Sequence, residues 1–469
     1  MDMEKETQNQ EEHDTGTKKA KAPGEGSQKS GFWKGVLTGA LVTAFAGLAV
    51  VGVASGINVI ERSVNGSGQN STSVESTQAT AQNRLDMKAV GAKLNLLQSV
   101  VNKYFLFDED MDKVEAGIYK GMMNGLDDPY STYYTAEEYD SLTEETQGVY
   151  CGIGVLVSQN RNTNAVTVLR VFSGSPAEEA GMKRGDILYK VGDIEAASTD
   201  LDVLVKEHIK GEEGTYVDLT VLRDGEEVPL HVERRMVETD TVEHQMLEDK
   251  TGYILVSQFD VVTGDQFEKA VDDLESQGME RLIIDLRDNP GGVVDSCVQM
   301  AAYVLPEDKL DGTILTTATK EGESDRYYCK DGQILHEYND GSTDKKYPKP
   351  DDHEITVPIA VLINGQSASA SEVFSGALQD YGVAKLVGTT SFGKGIVQSL
   401  LPLDDGSAIK ITVAHYYTPA GNDLHKKGLT PDVEVEYETP DVSDLNIYDS
   451  IPLDRDNQVQ KAIEVLKSE

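Results

Sequence analysis

Between residues 237 and 437 short apolar runs alternate with amphipathic ones, and this alternation constrains the fold more than any other feature of the chain. "TGYILVSQF" reads as a strand, "GDQFEKAVDDLESQG" as an amphipathic helix, and "RLIIDLRDNPGG" as a strand running into a glycine loop. "DSCVQMAAYVL" and "SASEVFSGALQDYG" read as helices, "IAVLINGQ" and "AKLVGTT" as strands. Strands that alternate with helices pack in layers, with helices on the faces of a sheet. "GIVQSLLPLDDGSAIKITVAHYYT" is a long hairpin over "DDG". The polar, Gly/Asp/Lys-rich residues 320–352 interrupt the pattern and read as a surface excursion.

Upstream, residues 146–236 change to short β-rich runs with two helical stretches, a small β-sandwich or barrel that includes a hairpin over Asp224-Gly225. Residues 84–145 carry apolar spacing near 3.6 and form a helical region. Residues 61–83 are rich in Ser, Thr, Asn and Gln and read as a flexible linker. The run from Gly35 to Ile60 has no charge. About 20 apolar residues cross a bilayer, so it is long enough for a transmembrane anchor. Lys18, Lys19, Lys21, Lys29 and Lys34 precede it and Arg62 follows, which places residues 1–34, a polar disordered tail, in the cytoplasm and the rest outside. A cleaved signal peptide is the competing reading, but no A-x-A-like site is evident. Residues 441–469 form a C-terminal helical tail after a domain spanning 237–440.

Net charge is −39, the opposite of the clustered positive charge that marks a nucleic-acid binder. Cys151, Cys297 and Cys329 are far apart and odd in number, with neither metal-ligand spacing nor a disulfide framework. No metal cluster or phosphate loop is evident, so no cofactor is implied.

In "NGQSASASEVFSGALQD" (364–380) the apolar strand delivers three serines to the start of a helix. Backbone N–H groups there lack intrahelical partners and the helix dipole is positive, which suits a nucleophile whose attack makes an oxyanion. The same residues fit a capping box, Ser369 with Glu372. In "SFGKGIVQSLLP" Lys394 lies between two glycines at the head of a strand. Glycines let other backbone approach closely, and Lys394 and Gln398 share a strand face. A buried lysine loses its proton more easily; a fall from about 10.4 toward 7 makes it a base for a serine hydroxyl, at roughly 4 kcal/mol. Gln398 orients the amine without adding charge. His415 is the one histidine near enough to offer a Ser-His-Asp alternative. Asp285 and Asp288 read as a strand end and a turn. "NPGG" supplies either a tight turn or a free N–H for an oxyanion, paired with that of Ala370.

Taken together, "LDDPYSTYYT", "GIGV", "SPAEEAGMKRGDIL", "IDLRDNPGG", "SASASE", "FGKGIVQ" and "GLTPDVEV" resemble, in order, the carboxy-terminal processing proteases, tail-specific serine peptidases with a Ser-Lys dyad. The resemblance covers roughly residues 90–440. It implies Ser369 as nucleophile, Lys394 as general base and Gln398 as the residue that orients it. It implies an oxyanion hole from Ala370 N–H and a glycine of Gly291–Gly292. Residues 146–236 resemble a PDZ domain, whose loop Gly152, Ile153, Gly154 and Val155 would capture the apolar C-terminus of a protein substrate through backbone N–H groups. The expected protein is a multidomain α+β and α/β chain: one transmembrane helix, a helical N-terminal region, a PDZ β-sandwich and a layered α/β Ser-Lys protease core. Its partners would be protein C-termini, the bacterial cell membrane and a second copy held through the terminal helices. The rivals are a catalytically silent PDZ scaffold and an acyl-CoA enzyme; an exported chain argues against the second, because CoA is cytosolic.

Overall fold

The computed structural model describes residues 84–306, 312–322, 324–330, 333–348, 355–441 and 451–468. The apolar run 35–60 and the flanking segments 1–34 and 61–83 lie outside the described residues. Among the described residues no helix is long and apolar enough to cross a membrane.

Two helices open the described chain. The Asp86 carboxylate accepts from the N–H groups of Lys88 and Ala89 to start α1 (Met87–Tyr104), and Asp110 starts α2 (Met111–Asn124) in the same way. The turn Asp127–Ser131 leads into β1 (Thr132–Tyr134) and then α3 (Ala136–Gln147), which ends at Gly148 with φ +69°.

Next comes a small sheet with β2 (Val155–Gln159) at one edge, followed in space by Val166–Val171, Ile187–Val191, β3 (Tyr216–Arg223) and β4 (Glu226–Glu233). The β3–β4 hairpin closes over Asp224 and Gly225 at φ +54° and +84°, the geometry that a two-residue Asp-Gly turn favours. Val217, Leu219 and Val221 alternate inward along β3, and pack with Ile153, Leu188 and Leu204 into a core of their own.

The largest core belongs to a parallel sheet. Its central strands are β5 (Thr251–Val256), β6 (Arg281–Asp285), β8 (Ile359–Ile363) and β9 (Ala384–Gly388), with Val242–Met246 antiparallel at one edge and Val433–Glu434 at the other; β7 (Thr313–Thr319) belongs to a second sheet. One face (Ile254, Ile284, Val361, Leu386) packs on α4 (Thr263–Ser276), α5 (Val294–Val304) and α6 (Ala370–Asp380). The other face (Tyr253, Ile283, Leu362, Val387) packs on Val459, Ala462 and Leu466 of α7 (Asn457–Leu466). That double cover explains why "IAVLI" has no polar residue: all five of its side chains are buried.

The second sheet contains the long hairpin of β10 (Ile396–Pro402) and β11 (Ala408–Tyr417). β1 pairs with the start of β11, and β7 with its end. Residues 320–352 correct the surface-excursion expectation. Ser324–Lys330, Gln333–Glu337 and Thr343–Pro348 continue the sheet outward from β7 as an antiparallel ladder. Tyr327, Cys329, Ile334 and His336 are buried, every second residue on strands whose other positions are mostly polar. A period-two apolar face of so few residues is lost in the polar average.

Candidate active site

Ser369 sits at the junction between β8 and α6 with φ +56° and ψ −115°, outside the backbone regions that a side chain ordinarily tolerates. Such strain persists only where its surroundings over-determine it. The loop 286–292 does so here: Ala368 N–H donates to the Asn289 carbonyl oxygen (3.0 Å), Ser371 Oγ to the same oxygen (3.0 Å), and Ser367 Oγ to that of Leu286 (2.8 Å). Ser367 and Ser371 are therefore braces. Glu372 accepts the Ser369 N–H (3.0 Å), while its own N–H goes to the Ser369 carbonyl oxygen (2.8 Å). The expected capping-box arrangement of Ser369 with Glu372 is present, and the short bond of the Glu372 N–H goes to the Ser369 carbonyl oxygen, so the backbone does most of the capping.

The same Glu372 oxygen that accepts the Ser369 N–H also accepts the Lys394 N–H at 2.8 Å, which fixes the two residues side by side. The other Glu372 oxygen accepts from Gly393 N–H (2.8 Å) and Ser391 Oγ. The glycines beside Lys394 do what their spacing suggested. A Cβ on Gly393 would meet the nitrogens of Lys427 and Gly428 at 2.9 Å, and one on Gly395 the His425 nitrogen at 2.4 Å. Only glycine lets the chain 424–428 lie against this segment.

Lys394 is 2% exposed and its Nζ has no hydrogen-bond partner; it stands 4.7 Å from the centre of the Tyr130 ring. Burial, and secondarily the charge of Lys410, lower its pKa to about 7, against the opposing pull of Glu372 and Asp128. Gln398 is fully buried, donates to Thr412 Oγ1 (3.3 Å), and leaves its Oε1 unpartnered. The expected bond between Gln398 and the Lys394 amine is thus not made in this structure, nor is one between that amine and Ser369 Oγ. Lys394 precedes β10, and a register shift at Val397–Gln398 breaks the simple alternation that would aim both side chains alike.

Gly291, at φ +98°, lies against the nucleophile turn: a Cβ there would meet Ser369 Cβ at 2.8 Å and the Ala370 nitrogen at 2.9 Å. Its N–H is already given to Asn289 Oδ1 (2.9 Å). Among the described residues no acceptor takes the N–H of Ala370 or of Gly292. The expectation that either glycine would serve narrows to Gly292. His415 is 47% exposed on its side chain and faces Asp423 (3.8 Å) and the His425 ring, not Ser369. Asp285 accepts from Tyr253 OH and Arg287, and Asp288 from Asn364 Nδ2, so neither is free for chemistry. Among the described residues no group of three or more His, Cys, Asp or Glu could hold a metal.

Sequence reading took 127–131 as a turn and missed its link to the site. Asp128 accepts from Ser131 Oγ and Tyr130 N–H, Ser131 Oγ accepts the Thr412 N–H (3.1 Å), and Thr412 meets Gln398. "DDPYS" was its one signal, legible only as a turn.

In the small sheet domain, Gly152 ends a strand, Ile153 is buried in the core, and Gly154 at φ +82° packs so closely on Ser175 that a Cβ would meet it at 2.3 Å. Tyr150 occupies this loop. Its ring lies against Gly152, and Lys210 Nζ stands 4.9 Å from its centre. Burial pushes the Tyr150 hydroxyl up to about 12, while the Val155 and Gly154 N–H groups directed at its oxygen act the other way.

A strained serine at a helix start, a buried lysine whose pKa is lowered to about 7 beside it, and two unengaged N–H groups suit one class: hydrolases that work by acyl transfer to serine. Comparisons with known proteins agree. Residues 250–435 match the model of peptidase family S41, and residues 151–233 that of the PDZ domain. The chain is 34% identical over 355 residues to a "Probable CtpA-like serine protease" of Staphylococcus aureus (strain COL), covering 76% of this chain and 66% of that one. It is 32% identical to the protein of that description from Staphylococcus epidermidis, covering 80% and 71%. A solved "photosystem II D1 C-terminal processing protease" is 26% identical over 74% of this chain and 87% of that one, with a TM-score of 0.39. The chain belongs to peptidase family S41 and is a serine-type peptidase with a PDZ domain. It spans about two thirds of the length of the S. aureus relatives.

Proposed function

We propose that the protein is a membrane-anchored endopeptidase that captures protein C-termini with its PDZ domain and cleaves by a Ser369–Lys394 dyad outside the cytoplasmic membrane. The observation that carries the reading is the pair of backbone N–H groups, of Ser369 and Lys394, on one oxygen of Glu372. Both bonds end on one carboxylate, so the two backbones are held side by side, which supports the pairing of the Ser369 hydroxyl with the Lys394 amine.

In this reading neutral Lys394 takes the Ser369 proton as Oγ attacks the scissile carbonyl carbon. The N–H groups of Ala370 and Gly292 receive the oxyanion. Protonated Lys394 then gives the proton to the leaving amine as the C–N bond breaks, and water, deprotonated by the same amine, releases the acyl group from Ser369. Gln398 Oε1, unpartnered and buried, is the acceptor that would hold the Lys394 amine once it swings from the Tyr130 ring. The Gly154 and Val155 N–H groups, now facing Tyr150, would take the substrate carboxylate, with Lys210 adjacent. The uncharged run 35–60 supports the anchor and the lysines before it the orientation. A second copy of the chain is the partner we assign to α1 and α2, whose apolar side chains are exposed.

The test uses the full chain in mild detergent with an unstructured protein ending in apolar residues. Cleavage by the wild type, absent in Ser369→Ala and Lys394→Ala, is expected. A Lys394→Ala variant that cleaves normally would remove the dyad. A wild type that binds the C-terminus and never cleaves would leave the scaffold reading.

A further inference from the structure

The scheme above leaves a second buried lysine without a task. Lys410, on β11, is 3% exposed and pairs in register with Thr132 of β1. It faces the same segment that Lys394 does. Its Nζ stands 5.3 Å from the centre of the Tyr134 ring, as that of Lys394 stands 4.7 Å from Tyr130, four residues earlier. Asp128, in the turn before β1, is the carboxylate whose charge acts on both amines. Asp128 is tied by Ser131 and, through the Ser131–Thr412 bond, to the strand that carries Lys410 and to Gln398. Burying an ammonium is expensive, and a methionine would fill such a site without that penalty.

We propose that Lys410 is a positioning residue of the peptidase reaction: the cation that keeps the neighbouring Lys394 amine neutral and ready to take the Ser369 proton. The inference rests on Lys394 being the base. Two like charges in one desolvated pocket do not both ionise readily, and the partner with the better counter-ion keeps its proton. Lys394 faces Lys410 on β11, Glu372 on α6, and Asp128 with the neutral Tyr130 ring on the turn before β1. Lys410 faces Asp128 and the neutral Tyr134 phenol. Glu372 is engaged by the N–H groups of Ser369, Gly393 and Lys394, so Asp128 is the less committed carboxylate. Burial lowers both amines, Lys394 to about 7 and Lys410 to about 8, and the charge of Lys410 adds to the fall of Lys394. Lys410 makes and breaks no bond; the proton that moves is exchanged between Ser369, Lys394 and the leaving amine.

The test is the pH profile of Ser369 modification by a small fluorophosphonate, which needs no peptide and no PDZ binding. It is run on the full chain with Lys410→Met, Lys410→Gln and Lys410→Arg beside Lys394→Met. Both neutral variants should move the acid-side midpoint up by about one unit, lowering the rate at pH 7 about tenfold, and recover the wild-type plateau at high pH. Arginine should keep the wild-type midpoint. The glutamine variant guards against a misfolded methionine one. A profile scaled down with its midpoint unchanged in both neutral variants overturns the proposal and leaves Lys410 a structural residue. If Lys394→Met reacts like the wild type at every pH, the dyad itself fails and the proposal with it.

Discussion

At the scale of single residues the site turns on Glu372. It is fully buried and takes N–H groups from Ser369, Gly393 and Lys394 as well as the Ser391 hydroxyl. Glu372→Gln keeps the shape but turns one acceptor oxygen into a donor that faces donors. The expected loss is about 2–4 kcal/mol of stability by denaturant unfolding, because buried donors are left unmet. Fluorophosphonate labelling of Ser369 should fall at least about a hundredfold, since ~2.7 kcal/mol of lost positioning at the reacting centre is enough for that. Labelling at the wild-type rate in Glu372→Gln would show that the common anchor is dispensable. Lys394 gives the opposite sign. Its folded pKa is about 7 against an ordinary lysine value of 10.5, so the unfolded chain binds more protons between those values and stability rises with pH across that window. The wild type therefore carries its full penalty below pH 7, up to about 4–5 kcal/mol at 1.36 kcal/mol per unit. Lys394→Met should be inactive yet more stable, with an advantage that shrinks from pH 7 toward pH 10. Equal stability of the two proteins at pH 7 would mean that the amine is not desolvated as its burial indicates.

At the scale of elements, the PDZ loop is filled by its own chain. Tyr150 faces the Gly154 and Val155 N–H groups, so under the proposed capture of a carboxylate there, binding must first displace it. Tyr150→Phe and Tyr150→Ala should bind a peptide with an apolar C-terminus about fivefold more tightly by fluorescence polarisation, the worth of one hydrogen bond of ~1 kcal/mol. Unchanged or weaker binding would make Tyr150 a part of the carboxylate site and not its occupant. What the chain disclosed in advance follows the range of the interactions. The β8–turn–α6 unit, the glycines around Lys394 and the Asp224-Gly225 hairpin are local, and each was readable from consecutive residues. The choice of Gly292 over Gly291 was not, because it depends on where the Asn289 side chain points. Nor was the reach of the turn at Asp128–Ser131: it meets Thr412 across 281 positions only because β1 pairs with β11. Ladder strands 324–348 stayed hidden for a third reason, since alternate burial of Tyr327, Cys329, Ile334 and His336 leaves a composition that looks soluble.

At the scale of the whole molecule, the N-terminal helices α1 and α2 are the part that the fold does not explain. α1 buries none of its residues, and α2 only Met123. Leu96, Leu97, Val100 and Val101 on α1, and Val114, Ile118 and Met122 on α2, recur at the three- and four-residue spacing of one helix face, and all are exposed. Helices of 18 and 14 residues gain most of their stability from packing such a face, which is here unpacked. Gly117 and Gly121, one turn apart on α2 with nothing within 4 Å of a Cβ, leave room for another backbone. A second copy meets these needs symmetrically, the helices of each copy covering those of the other. Light scattering of the full chain should then give twice the protomer mass, and the melting temperature should rise with protein concentration, because association adds to folding stability. Leu96→Glu with Val100→Glu should yield monomers whose PDZ and protease domains still melt cooperatively. A wild type that stays monomeric at the highest concentrations tested would overturn the dimer. Anchorage of the same face to lipid vesicles, lost in that double variant, would name the bilayer as its occupant.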